Sequence, residues 1–388
     1  MRENDTVNVS DLLLLGQGSD LASERGVSCD GQLPPASDPD LLSRARAARK
    51  TLGTDALILG HHYQRNEVIE FADITGDSFK LAQEAANQSS VENIIFCGVH
   101  FMAESADILT SERQKIILPD LAAGCSMADM ATANQVTQCW SDLQSIGVAD
   151  QVIPVTYMNS SAAIKSFTGE HGGTICTSSN AEAAMKWAFS QGEKILFLPD
   201  QHLGRNTAVL SLGLTLEDCV LWNPWKPMGG LTEEQIKRAK VLLWRGHCSV
   251  HGRFSIESVN EIRSRVPGVQ VLVHPECTHE VVSAADKIGS TERIIKIVQE
   301  SPAGSKWAIG TELNLVQRIS QNNPDKEIYF LDKDICYCST MNRIDLPHLV
   351  ASLENLVTGN IVNQIKVDQD TKAYARIALN QMLALPGA

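Results

Sequence analysis

Three stretches of this 388-residue chain repeat one plan, and that repetition restricts the fold more than any single motif does. The first reads ALILGHHYQ, ITGDSFKLAQEAA, NIIFCGVHFMAESADIL and KIILPDLAAGCSMAD. The second reads QVIPVTYMNSSAAI, GTICTSSNAEAAMKWA, KILFLPDQHLGRNTA and VLLWRGHCSVH. The third reads VQVLVHPECTHEVVSAA, KIGSTERIIKIVQ, KWAIGTELNLVQRI and EIYFLDKDICYCST. Each phrase opens on a short apolar or β-branched run, turns at polar residues and continues with helical spacing. That is the alternation of parallel α/β units. The intervals agree as well: 64 residues separate His61 from Cys125 and His274 from Cys338, and 33 separate His61 from Ile94 and His274 from Trp307. The middle copy is longer, with 91 residues from Tyr157 to Cys248 and the excess around LSLGLTLEDCVLWNPWKPMGGLTEE.

The expected fold is therefore α/β, three similar domains with short parallel sheets, covering 37–125, 126–248 and 249–338. Residues 339–388 are expected to pack back on the first domain. Residues 1–36 end in a Gly/Pro/Ser-rich junction and read as a mobile extension. Their apolar run is four leucines, far short of a signal core or a membrane span, so a cytoplasmic location is expected. Net charge is −13 with no long basic stretch, which argues against nucleic acid and anionic membrane surfaces. Ten cysteines at irregular spacing, with no secretory signal, are expected to stay reduced. Most then serve as small buried hydrophobes.

Three cysteines stand apart. The interval set by Cys125 is kept by Cys338 and not by Cys336, so each unit ends one strand–loop in a single cysteine. In parallel α/β units, ligands gather beyond the carboxyl ends of the strands. If the units face one another around a pseudo-threefold axis, Cys125, Cys248 and Cys338 meet at the centre. Structural zinc wants a fourth ligand and usually local CxxC pairs, which are absent. A [4Fe–4S] cluster held by three cysteines leaves one iron open as a Lewis acid. The plain alternative is three unrelated buried cysteines.

The other strand ends carry His61 and Tyr63, Tyr157 and Asn159, and His274 and Glu276 at one repeat position. Titratable or hydrogen-bonding groups in every copy suggest an inward-facing ring. Ser78, Ser178, and Ser290 with Thr291 lie just before helical stretches, where a helix cap is the ordinary role. Helix starts also bind anions, which suits a substrate with carboxylates or phosphate.

The ordered set GHHYQ, FADITGDSFKLA, VTYMNSSAAIK, CTSSNA, PDQHLG, HCSVH, HPEC, GST and CSTMNRIDL resembles the A-type quinolinate synthase family of de novo NAD biosynthesis, from about residue 40 to at least 350. The resemblance implies three α/β domains around a pseudo-threefold axis, with active site and cluster at the centre. It implies one [4Fe–4S] cluster per chain on Cys125, Cys248 and Cys338. The implied substrates are iminoaspartate and dihydroxyacetone phosphate, condensed to quinolinate with loss of phosphate and water, and a functional link to the enzyme supplying iminoaspartate follows. The implied site residues are His61, Tyr63, Ser78, Tyr157, Asn159, Ser178, His251, His274, Glu276, Ser290 and Thr291. Of these, Glu276 is the leading general base, and Tyr63 and His251 are further catalytic candidates. Two departures accompany the resemblance. Some relatives carry CxxCxxC where this chain has CYC, which makes Cys336 a bystander, and the 36-residue extension has no counterpart in the compact family pattern. A cluster-dependent hydro-lyase is the nearest rival, and a non-catalytic iron–sulfur scaffold or redox sensor the more distant one.

Overall fold

Strand β1 (Ala56–His61) is buried at every position. A strand covered on both faces needs apolar side chains in both phases, so it reads as a continuous run and not as an alternation. The same holds for β3 (Asn93–Cys97), β5 (Val152–Tyr157), β7 (Lys194–Leu198), β10 (Gln270–Val273) and β12 (Lys306–Gly310), nearly all of whose residues are covered. The computed structural model describes residues 33–333 and 337–386. Cys336 and nearly all of the expected extension lie outside the described residues.

These strands build three short sheets. The first has the order β14-β4-β3-β1-β2, with β2 at Ile74–Gly76, β4 at Lys115–Ile117 and β14 at Gln364–Ile365. The second runs β6-β5-β7-β9-β8, with β6 at Thr174–Cys176, β8 at Cys219–Trp222 and β9 at Val241–Trp244. The third runs β11-β10-β12-β13, with β11 at Lys287–Ile288 and β13 at Glu327–Phe330. Among the repeat strands the order is the same each time: second, first, third, fourth. All pairings are parallel except β14 with β4. The 33-residue interval is a shared register, since Leu57 pairs with Ile94 and Gln270 with Trp307, each four residues before its histidine.

The excess of the middle copy forms β8, an added edge strand. Its Trp222 is sealed under Gly229, where φ is +65° and a Cβ would come within 2.5 Å of the indole. Only glycine fits there.

The carboxyl-terminal segment divides its contacts. Strand β14 joins the first sheet, and helix Leu346–Val357 packs on helix Leu41–Leu52. There Arg44 grips Glu354 with Nε and Nη2 at 2.8 and 2.6 Å. The last helix, Gln369–Leu383, instead lies mainly on helix Ala162–Glu170, beside the second sheet. It stays tied to the first unit, as expected of this segment, through Lys372 Nζ to Asp107 at 2.9 Å and Arg376 Nε to Ile108 O at 2.7 Å, while Gly169 lets the Tyr374 backbone approach closer than any side chain would allow. Among the described residues, no helix is long and apolar enough to cross a membrane.

Candidate active site

One cavity receives strand ends from all three sheets. Its lining includes His61, Tyr63 and Ser78 from the first unit, Tyr157, Asn159 and Ser178 from the second, and His274, Glu276 and Thr291 from the third. Cys125, Cys248, His251 and Cys338 line it too. Every site residue singled out from the sequence is therefore present except Ser290. Ser290 faces an adjoining cavity and accepts a hydrogen bond from Ser179 Oγ at 2.9 Å.

None of the three serines caps a helix. Asp77 caps Ser78–Asn87, taking the Phe79 and Lys80 N–H groups. Helix Ala181–Gln191 starts after Asn180, whose Oδ1 turns back to Thr177, and Ser290 makes no cap bond at all. Of these three helix starts only the first has a side-chain cap, and an acid supplies it. Ser78 and Ser178 are thereby left facing the cavity.

At the centre, both oxygens of Glu276 are engaged. Tyr157 Oη donates to Oε1 at 2.6 Å, and His251 Nδ1 lies 3.0 Å from Oε2. Burial works to raise the Glu276 pKa, but the adjoining His251 and these two hydrogen bonds outweigh it and hold the carboxyl well below the usual range. An ionised carboxylate only accepts, so His251 carries its proton on Nδ1. Its Nε2 then faces Thr311 Oγ1 at 3.2 Å, and Thr311 lies 3.0 Å from Tyr63 Oη. The chain of contacts is Tyr63–Thr311–His251–Glu276–Tyr157. His274 stacks on His251, centroids 4.4 Å apart, and burial holds its pKa down to about 3, so it is neutral. His61 is kept neutral in the same way and accepts the Tyr63 N–H at Nδ1. Burial raises both tyrosines, with the Glu276 charge adding to it, so each phenol keeps its proton at rest.

The three thiols fit a metal centre by the chemistry around them. Burial pushes Cys125 up to about 12 and raises Cys248 and Cys338 as well, with Cys125 and Cys338 each adding to the shift of Cys248. Such thiols give up their protons to a metal. Donors already point at each sulfur: the Ala128 N–H at Cys125, the His251 N–H at Cys248, and the Thr340 hydroxyl with the Met341 N–H at Cys338. Ligand atoms of Cys248, His251 and Glu276 lie within 4.8 Å of one another, a second combination able to hold an ion.

Comparison with known proteins agrees. The family described as quinolinate synthetase A protein (NadA) matches residues 44–384. A quinolinate synthase from Streptomyces coelicolor is 68% identical over 377 residues, covering 97% of this chain and 96% of its own. Another from Nocardioides sp. is 66% identical over 382 residues, covering 97% of each chain. One from Bacillus subtilis is 53% identical over 349 residues, covering 90% of this chain and 94% of its own.

The chain belongs to the quinolinate synthetase A family. One expectation changes with that membership. Matches over 97% of 388 residues include much of the 36-residue extension, so it does have counterparts in these family members.

The sequence reading missed Thr311, which joins Tyr63 to His251. Its one signal is position, just past the end of the third repeat strand β12, where the other units have Gly98 and Pro199. Lys165, in the VTYMNSSAAIK stretch, was also passed over. It is fully buried, donates to Ser160 O and lies 5.3 Å from the centre of the Phe101 ring on the cavity wall. Burial lowers its pKa to about 7. Between that value and 10.5 the unfolded chain binds one more proton than the folded chain. The stability of the unaltered protein relative to Lys165→Met, both without metal, should therefore fall as pH falls from 10 towards 7. The slope is at most about 1.4 kcal/mol per pH unit, with a level stretch below pH 7. Urea unfolding across that range measures it, and a flat difference from pH 10 to 7 would show the ammonium charged throughout.

Proposed function

We propose that this chain is a quinolinate synthase, condensing iminoaspartate with dihydroxyacetone phosphate and releasing phosphate and water. The observation that carries the reading is a single cavity where one thiol from each repeat faces the Tyr63–Thr311–His251–Glu276 chain. The three thiols fit a [4Fe–4S] cluster: there is one per repeat, each has a donor aimed at its sulfur, and no other cysteine lines the cavity among the described residues. When bound, such a cluster supplies an iron free of protein ligands, a Lewis acid for a carbonyl oxygen or imine nitrogen.

The protein's own groups do the rest. Ionised Glu276 fixes the Nδ1–H tautomer of His251, leaving Nε2 to accept the Thr311 proton while Thr311 accepts that of Tyr63. This relay turns a buried phenol into a base able to remove a proton beside a carbonyl or imine. Glu276, expected as the direct base, acts in this reading through His251, because both its oxygens are already bonded. Neutral His61 and His274, with Asn159, orient substrate oxygens. Ser78, Ser178 and Thr291 offer hydroxyls to carboxylate and phosphate groups. Phe101, Met102, Met127 and Met341 wall the cavity against water, which protects an imine from hydrolysis.

The test is anaerobic reconstitution with iron and sulfide, followed by both substrates and detection of quinolinate. Formation of quinolinate only when dihydroxyacetone phosphate is present separates synthase from hydro-lyase. A reconstituted protein that forms none is not a synthase.

A further inference from the structure

Two buried acids repeat at one position and have no part in the relay. Each unit's third strand is followed, two residues past its end, by the residue that begins the next helix. These residues are Val99 after β3, Asp200 after β7 and Glu312 after β12. Asp200 and Glu312 are both fully buried.

In the two acids the oxygens are divided in the same manner. Glu312 Oε2 takes the Leu315 N–H of its helix at 3.2 Å, while Oε1 takes the Cys338 backbone N–H at 3.4 Å. Asp200 Oδ1 takes the His202 and Leu203 N–H groups at 2.7 Å each. Its Oδ2 is buried with no partner of ordinary length, and the Cys248 backbone N–H faces the carboxyl. In each acid one oxygen holds the helix; in Glu312 the other is bonded to the cysteine loop, and in Asp200 the other is unpartnered in a carboxyl that the Cys248 N–H faces. The first unit has Val99 there and no acid, and it relies on a backbone tie that the second unit shares. The His100 N–H donates to Ala123 O at 2.7 Å, joining helix start to cysteine loop through backbone alone. Three units therefore solve one problem, fixing the cysteine loop to the helix after the third strand. The second unit has the same backbone tie, Gln201 N–H to Gly246 O at 2.9 Å, and the second and third units add a carboxylate.

We infer that Asp200 and Glu312 are positioning residues for the cluster: each clamps the backbone of its unit's cysteine, Cys248 or Cys338, in the geometry that binds iron. The inference rests on the proposed three-cysteine cluster. An ordinary helix cap needs only one acceptor oxygen. A second oxygen spent on a cysteine amide in Glu312, and one left without any other partner in Asp200 beside the Cys248 N–H, is what separates a clamp from a cap. Outer partners that orient metal ligands typically change metal retention by roughly 10–100-fold when lost.

Serine separates the two roles, because it caps a helix well but is too short to reach the cysteine loop. Asp200→Ser and Glu312→Ser, loaded anaerobically, should release iron to a chelator at least about tenfold faster than the unaltered protein. Their melting temperatures without metal should change little. Asp368→Ser, which alters the cap of the last helix at a residue that does not line the cavity, should release iron at the unaltered rate. Serine variants that release iron as slowly as the unaltered protein overturn the clamp. So does a release rate that simply follows the loss of melting temperature. If a serine variant does not fold, amide exchange in the unaltered protein without metal decides. The Cys248 and Cys338 N–H groups should be protected, and exchange at open-loop rates overturns the proposal. An unaltered protein that takes up no iron is a different result, since it removes the cluster itself.

Discussion

Purified without oxygen, the Cys125→Ser, Cys248→Ser and Cys338→Ser proteins should each hold roughly one iron or less per chain, against about four irons and four sulfides in the unaltered protein. The expectation follows from how the sulfurs are supplied. Each unit contributes one, from a loop beyond a strand end, and all three line one cavity. Loss of any one leaves two thiols from two units and, among the described residues, no neighbouring cysteine to step in, because Cys97, Cys176 and Cys277 are buried in packed cores. A serine oxygen is a harder and less acidic ligand and does not substitute for thiolate. Cys336→Ser should keep its cluster. Iron and sulfide analysis with the visible absorption of the brown protein measures the series. A Cys336 variant that loses iron while Cys338→Ser retains it would place the ligand two residues earlier than the repeat register does.

Glu276→Gln should keep its iron and bind both substrates with little change in KM, while kcat falls on the order of a hundredfold or more. Glutamine is close in shape, and its carbonyl can still accept from Tyr157 or His251. It cannot carry the negative charge that keeps the proton on His251 Nδ1. An amide N–H turned towards His251 would force the other tautomer, leaving Nε2 with a proton and nothing to accept from Thr311. Loss of an orienting carboxylate acts in this manner in other relays, and there too the geometry survives while turnover drops. Because the defect lies in proton movement, the pH profile of kcat should change shape as well as height. Iron loss from Glu276→Gln would instead make the carboxylate part of the metal centre, in line with the close grouping of Cys248, His251 and Glu276. Full turnover would remove the relay.

Much of this architecture could be read from residues alone, and for physical reasons. Strands buried on both faces appear as short apolar runs, so β1, β5 and β10 were visible, and equal spacing to the next strand reflects equal register. The two-residue β14 has too little sequence to carry such a signal. Residues with distinctive chemistry, the cysteines and the His/Tyr/Glu ring, were found for the same reason. Thr311 was not, since an uncharged hydroxyl after a strand looks the same whether it links two catalytic groups or meets water. Direction was also hidden. Sequence put Ser290 at a helix start but could not show its hydroxyl turned to Ser179 in the neighbouring unit. Nor could it show that Glu276 has no free oxygen, a fact set by Tyr157, 119 residues away.

The carboxyl-terminal segment bears on how such a chain can be made. The Arg44–Glu354 pair spans 310 residues, and the Asp107 carboxylate accepts the Val367 N–H across 260. A ribosome adding about 5–20 residues each second needs roughly 15–60 s to cover the first of those spans. Throughout that time helix Leu41–Leu52 lacks its main packing partner, helix Leu346–Val357, and β4 is an open sheet edge. The segment synthesised first is therefore among the last to be completed. Until helix Leu346–Val357 and β14 emerge, its apolar face and strand edge are exposed to other chains, so the nascent protein is most prone to aggregate or to recruit chaperones late in its synthesis.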